Sequence, residues 1–199
     1  MDNTNTISFP RSPFTNVLVK ENKLDGRGFE AWLLYPGMEF GACETWWGDK
    51  GTRTRPHEGI DLCFYRGVAD NVFRIDERAK IPAMYDGIVV KIIDDFIGKT
   101  IIMRHSFPEI GEGTFLTMYG HTNPGESLET GRSVKMGEII ATLAVPRGTN
   151  APLPHLHLTL IWSPEPIPYD MLDWTTIGNA EVVRLVDPLH VIGLSEKWS

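Results

Sequence analysis

Pro154-His155-Leu156-His157-Leu158-Thr159-Leu160 sets two histidines two positions apart in a run that alternates with leucine. Alternation of this kind is the pattern of a β-strand, whose successive side chains point to opposite faces. His155 and His157 therefore share one face, and Leu156, Leu158 and Leu160 line the other. The two imidazoles stand about 7 Å apart along the strand, close enough to serve one site. Taken alone, the run is equally a half-buried strand whose polar face carries histidine, because imidazole both ligates metals and fills surface. The other histidines decide between the two.

The chain has 199 residues, a length that suits one domain and buries a core without staples. Its 42% hydrophobic and 23% charged residues are ordinary for a globular protein. A net charge of −7 argues against passive attraction to nucleic acid or anionic membranes. No run approaches the length of a membrane span, so neither a nucleic-acid partner nor a membrane span is expected. Oligomeric state is left open. Cys43 and Cys63 make no disulfide framework. They either bridge once or stay free, and Cys63, in an apolar run, reads as a small buried residue. Any metal must then be held by histidine and carboxylate. The N-terminus has neither a basic region nor an apolar one and is not a signal peptide, which leaves localisation unknown.

Residues 1–30 are polar and read as an extended arm, with Phe14 to Val19 as a first strand. Residues 31–56 carry Trp32, Tyr35, Trp46 and Trp47 among turn formers, the chemistry of a loop. The tryptophan pair is either a lid on the core or a wall of a substrate groove. From Ile60 onward the pattern is of short strands punctuated by turns. Expected strands are Ile60–Tyr65, Ile88–Ile93, Lys99–His105, Phe115–His121, Ser133–Val134, Glu138–Val145 and His155–Ile161. Short helices are expected around Tyr169 to Trp174 and after Pro188. The fold class is all-β, with three segments: an arm and aromatic loop over 1–50, a domain over 51–192 and a tail over 193–199.

Arg55-Pro56-His57-Glu58-Gly59-Ile60-Asp61 places histidine and aspartate four apart. On a continuous strand their Cα atoms would lie about 13 Å apart, too far for one ion. Gly59 offers a bend, because glycine tolerates positive φ. A helical H-E-x-x-D reading fails on Pro56 and Gly59. A third piece, Met118-Tyr119-Gly120-His121, ends a β-rich segment at a histidine before the turn Asn123-Pro124-Gly125.

Together, H-x-x-x-D, a strand ending Y-x-H and P-H-L-H in an all-β chain resemble the M23 family of zinc metallopeptidases, the lysostaphin-like endopeptidases of peptidoglycan. Ile81-Pro82-Ala83 with Asp86-Gly87-Ile88-Val89, the strand Ile102–His105, Gly131 to Ala141, and Val186-Asp187-Pro188-Leu189 are similar to further family segments in the same order. The likeness spans about residues 50–192. It implies an antiparallel β-sandwich or barrel-sandwich core (the duplicated hybrid motif) with long loops and short C-terminal helices. It implies one Zn2+ held by His57, Asp61 and His157, with a fourth position for water, and His121 and His155 as catalytic histidines that do not ligate. The implied activity is endopeptidase, on peptide or peptidoglycan substrates, and the family usually acts outside the cytoplasm. Glu58 need not be catalytic and is expected in solvent. His105 reads as structural or as part of the groove wall, and His190 as incidental.

Two departures stand out. The family often continues H-L-H-F-E, where this chain has Thr159, and Gly148 to Pro154 carries prolines where the family often has glycines. Three other readings stay open. One is a zinc-binding, non-hydrolytic interaction or regulatory module of the same fold. Another is a hydrolase of some other peptide. The third is a lipoyl-type carrier with Lys135 at its hairpin, which leaves the placed histidines unexplained.

Overall fold

The alternating run lies in the middle of a sheet. In the computed structural model, which describes residues 9–49, 51–110, 112–148, 151–178, 183–193 and 195–197, the chain runs through thirteen strands and three α-helices. These are α1 (Phe14–Glu21), β1 (Ala31–Leu34), β2 (Ile60–Leu62), β3 (Phe64–Arg66), β4 (Val72–Arg74), β5 (Lys80–Pro82), β6 (Gly87–Asp94) and β7 (Lys99–His105). After them come β8 (Thr114–Pro124), β9 (Ser133–Val134), β10 (Ile139–Leu143), β11 (Leu156–Ser163), α2 (Trp174–Ile177), β12 (Arg184–Val186), α3 (Leu189–Ile192) and β13 (Ser195–Lys197).

The main sheet has the order β12-β11-β8-β7-β6-β9, with β2 on β11, β10 on β8 and β5 on β10. Its pairings are antiparallel. A second, four-stranded sheet runs β13-β1-β3-β4, and there β1 and β13 are parallel. Neither sheet closes on itself. The all-β expectation holds, with the short α2 and α3 in the C-terminal part and the eight-residue α1 near the N-terminus. Among the described residues no helix is long and apolar enough to cross a membrane.

β11 is buried on both faces. Leu156, Leu158 and Leu160 enter the larger core with Tyr119, Ile101 and Met103. On the opposite face Ile161 joins a smaller core with Ile102, Leu116 and Met118. At the near end of that opposite face the apolar side chains give way to His155, His157 and Thr159. Along one edge β11 pairs with β8, and along the other with β2 and then β12.

Four local expectations are corrected. Phe14–Glu21 is a helix rather than a strand. Phe14 and Leu18, one helical turn apart, are both buried in the core, and Thr15 Oγ1 donates to the Ile192 carbonyl at 3.1 Å. Residues 14–21 are therefore no extended arm, the start of the expected arm (1–8) lies outside the described residues, and Ala31–Leu34 pairs as a strand instead of looping. Ile60–Tyr65 is two strands in two sheets, and the chain crosses between them at the buried Cys63. At the other end Ser195–Lys197 pairs with β1 rather than trailing as a tail.

The chain bends at residues 58–59 as expected, but without positive φ at Gly59, and what this glycine supplies is closeness. A Cβ there would lie 2.2 Å from the Leu158 carbonyl oxygen and 2.7 Å from Thr159 Oγ1. Only glycine lets β2 approach β11 closely enough to set Asp61 directly opposite His157. Gly59→Ala should lower unfolding stability by about 2–3 kcal/mol, the range of overpacking in a filled interior, and reduce bound metal. Denaturant unfolding and metal analysis test this, and a fully stable variant that binds metal normally contradicts it.

Candidate metal centre

Each of the three expected ligands arrives from a different local device. Asp61 is in β2, where its backbone N–H donates to Met38 O at 3.0 Å. His57 lies just before that strand, tied through its N–H to Ala42 O and through its carbonyl to Gly41 N–H, both at 2.9 Å. His157 is in β11, in register with Asp61 on one side and Gly120 on the other.

Their donor atoms meet at one point. His57 Nε2 lies 3.1 Å from His157 Nδ1 and 3.3 Å from Asp61 Oδ1, and His157 Nδ1 lies 2.8 Å from that same oxygen. The far side of each ring explains why these are lone pairs. His57 Nδ1 sits 2.9 Å from the Glu39 carbonyl, which can only accept, so the proton is on Nδ1. His157 Nε2 lies 2.9 Å from Thr159 Oγ1, which can accept its proton and leave Nδ1 bare. Three such acceptors repel at this range unless a cation is shared among them. In a tetrahedral zinc site with bonds of about 2.0–2.1 Å, neighbouring ligand atoms are about 3.3 Å apart. The trio fits one small metal ion with nitrogen and oxygen ligands.

Electrostatics agree. Burial lowers the His157 imidazole to about 4, which keeps it neutral and able to ligate. Burial pushes the Asp61 carboxyl up, but the imidazoles of His57, His155 and His157 packed around it outweigh burial and hold it well below the usual range. The other Asp61 oxygen, Oδ2, accepts from Trp46 Nε1 at 2.7 Å, with Arg53 at 3.7 Å.

His121 and His155 stand beside the trio without joining it. Their ring centroids are 4.7 Å apart, and His121 is 5.8 Å from His157. Both are buried, and both line a cavity of about 240 Å³ with Asp61 and His157. His155 Nδ1 donates to Leu153 O at 2.7 Å, and burial lowers this imidazole also to about 4. Aromatic rings wall the cavity: Trp46 and Trp47 pack on His155, Phe96 on His121 and Trp174 on His157.

The sequence profile of peptidase family M23 matches residues 55–168, more than half of the chain. The chain belongs to peptidase family M23. Among the described residues, His57, Asp61 and His157 form the cluster able to hold one ion. No curated protein matches it. Similar solved structures include an M23 peptidase from Pseudomonas aeruginosa, 20% identical with a TM-score of 0.44, covering 92% of this chain and 62% of its own. The catalytic domain of the antimicrobial peptidase lysostaphin from Staphylococcus simulans is 14% identical at a TM-score of 0.44, covering 73% of this chain and 88% of its own. A zinc-containing peptidase from Vibrio cholerae is 21% identical at a TM-score of 0.40, covering 73% and 41%. This chain thus spans less than two thirds of the first of these.

Several residues of this M23 chain sit differently from expectation. β8 does not end at His121 but continues to Pro124. His121 is the point at which β8 leaves β11 and takes up β10, and its φ is +63°. Glu58 is half-buried on the cavity wall rather than in solvent. His105 is structural: buried, it contacts Asp86 O and Thr117 Oγ1 at 2.8 Å each, and burial lowers it to about 4. His190 is exposed. Thr159, standing where the family often has glutamate, still supplies an acceptor for His157. Cys43 and Cys63 are both free, and burial pushes the Cys63 thiol up to about 12.

Three residues at the site were not assigned to it from the sequence, although Trp46 stood out there as one of a tryptophan pair. Asp95 faces His121, Arg53 approaches Asp61, and Trp46 holds the distal oxygen of Asp61. Partners of this kind orient metal ligands, and losing one typically weakens metal binding 10- to 100-fold. Trp46→Phe keeps the ring and removes the N–H. Zinc affinity measured by competition with a chromophoric chelator should fall by about 10-fold or more; unchanged affinity contradicts the assigned role of the indole.

Proposed function

We propose that this protein is an endopeptidase that cuts peptide bonds in peptidoglycan cross-links or stem peptides. In this reading His57, Asp61 and His157 hold the zinc, and His121 and His155 are catalytic. One observation carries it: Asp61 and His157, two of the three clustered ligand candidates, line a cavity together with two further buried histidines, His121 and His155, that lie outside the cluster. A structural zinc site has no use for two spare imidazoles beside an open face.

Zinc in such a site supplies a Lewis acid that polarises a carbonyl and lowers the pKa of water. The protein's own groups do the rest. One of the two histidines removes a proton from the attacking water and passes it to the leaving amine as the C–N bond breaks. The other donates to the carbonyl oxygen as negative charge builds there. His155 is held for this by its bond to Leu153 O and by the tryptophan pair against its ring. The aromatic walls exclude bulk water, which strengthens each electrostatic contact inside.

Trp47 also borders a second cavity of about 490 Å³, lined by Tyr35, Trp46, Phe64 and Leu153 among others. An extended peptide crossing the metal centre would lie in both. The tryptophan pair reads as groove wall on this view, the second of the two alternatives raised by its sequence.

The test is release of free amino groups from purified peptidoglycan, with and without a zinc chelator. Release is expected to be chelator-sensitive and lost in His155→Ala. No release from protein shown to carry one zinc overturns the peptidoglycan reading and favours another peptide or a non-hydrolytic binding role.

A further inference from the structure

Asp95 is held by more bonds than its turn needs. It sits at the β6–β7 hairpin with its side chain 2% exposed. Its Oδ1 accepts from Ile97 N–H at 2.9 Å and Gly98 N–H at 2.7 Å, which closes the turn. Those two bonds suffice for an aspartate whose only task is a tight turn. Its Oδ2 reaches further, accepting from Thr100 Oγ1 and from the backbone N–H of His121, both at 2.8 Å. Asp95 Oδ1 also lies 3.2 Å from His121 Nδ1.

His121 is the residue that needs such support. Among the described residues it is the only non-glycine with positive φ inside a strand. That conformation costs free energy and persists only where the surroundings enforce it. Here both backbone groups are pinned, the N–H by Asp95 and the carbonyl by Ala144 N–H at 2.9 Å. The ring nitrogen Nδ1 is buried and makes no formed hydrogen bond; the contact with Asp95 Oδ1 is close but poorly aligned. Burial raises the Asp95 carboxyl, yet the close His121 ring, the His121 N–H and the Gly98 N–H outweigh burial and hold it well below the usual range. The oxygen facing Nδ1 is therefore an ionised acceptor.

We infer that Asp95 is a positioning residue: it holds His121 as the Nδ1–H tautomer and leaves Nε2 bare for the metal cavity. This rests on the reading of His121 as catalytic. A small rotation of the ring aligns Nδ1–H on the carboxylate, and the pinned backbone fixes where the ring starts. A bare Nε2 can accept a proton or, once protonated, donate one.

Two arms test it on the zinc-loaded protein. Multiple-bond 15N–1H NMR reads the tautomer directly, and wild type should show His121 with a protonated Nδ1 and an unprotonated Nε2. Asp95→Asn should lose that signature while zinc content is kept. The kinetic arm compares Asp95→Asn alone and in a His121→Ala background. Alone it should lower kcat by about 100-fold, with KM little changed. With His121 already gone it should add no further loss, because the two act as one unit. An equal loss in both backgrounds marks a merely structural turn residue and overturns the inference, as does an Nε2–H tautomer in wild type. Wild-type protein without turnover on any peptide tested speaks against the proposed substrates, and the NMR arm then decides Asp95 alone.

Discussion

Two imidazole lone pairs and a carboxylate oxygen held 2.8–3.3 Å apart in a protein interior need a cation among them. Much of the architecture serves to hold them there. His57 Nδ1 is committed to a backbone carbonyl and His157 Nε2 has a hydroxyl beside it, so each ring can present a lone pair to the same point. Such a cluster contributes little to folding without its ion, because its repulsion and desolvation oppose the packing around it. The cost is offset by two hydrophobic cores that grip β11 from opposite faces.

The fold reaches this arrangement by closeness at a few points. Gly59 lets β2 lie against β11, and Gly120 sits opposite His157 where β8 comes near. At His121 the same strand changes neighbour, with an irregular backbone there, and the ring lines the cavity beside His155 and His157. Segments distant in sequence complete the walls. Trp46 and Trp47 come from before β2, Phe96 from a hairpin tip and Trp174 from the start of α2. Strands thus carry Asp61 and His157, while loops supply the aromatic walls around them.

His57, Asp61 and His157, whose donor atoms meet in the structure, are legible in sequence through the likeness to M23 motifs, while spacing alone leaves each stretch open. H-x-H on an alternating strand, and H-x-x-x-D beside a glycine, can be read without knowing the partners. The reason given for Gly59 was not the right one: the close carbonyl of Leu158 comes from a strand about a hundred residues away, and nothing near Gly59 announces it. The same holds for Asp95, and for Trp46 as a partner of Asp61, until the hairpin and the aromatic loop fold over the site. Phe14 to Val19 looked like a strand because Val17, Leu18 and Val19 are good strand formers. The helix is decided instead by burial of Phe14 and Leu18 and by the Thr15 bond to Ile192, both tertiary effects. The split of Ile60–Tyr65 into two sheets was hidden for a similar reason, since a buried strand and a buried crossover share one apolar pattern.

The most direct check on the converging lone pairs is X-ray absorption at the zinc K-edge of the purified protein. One zinc per chain, with only nitrogen and oxygen ligands and the scattering pattern of two imidazoles, is the predicted result. Sulfur in the coordination shell, drawn from Cys43 or Cys63, or a zinc with fewer than two imidazoles, would contradict the account.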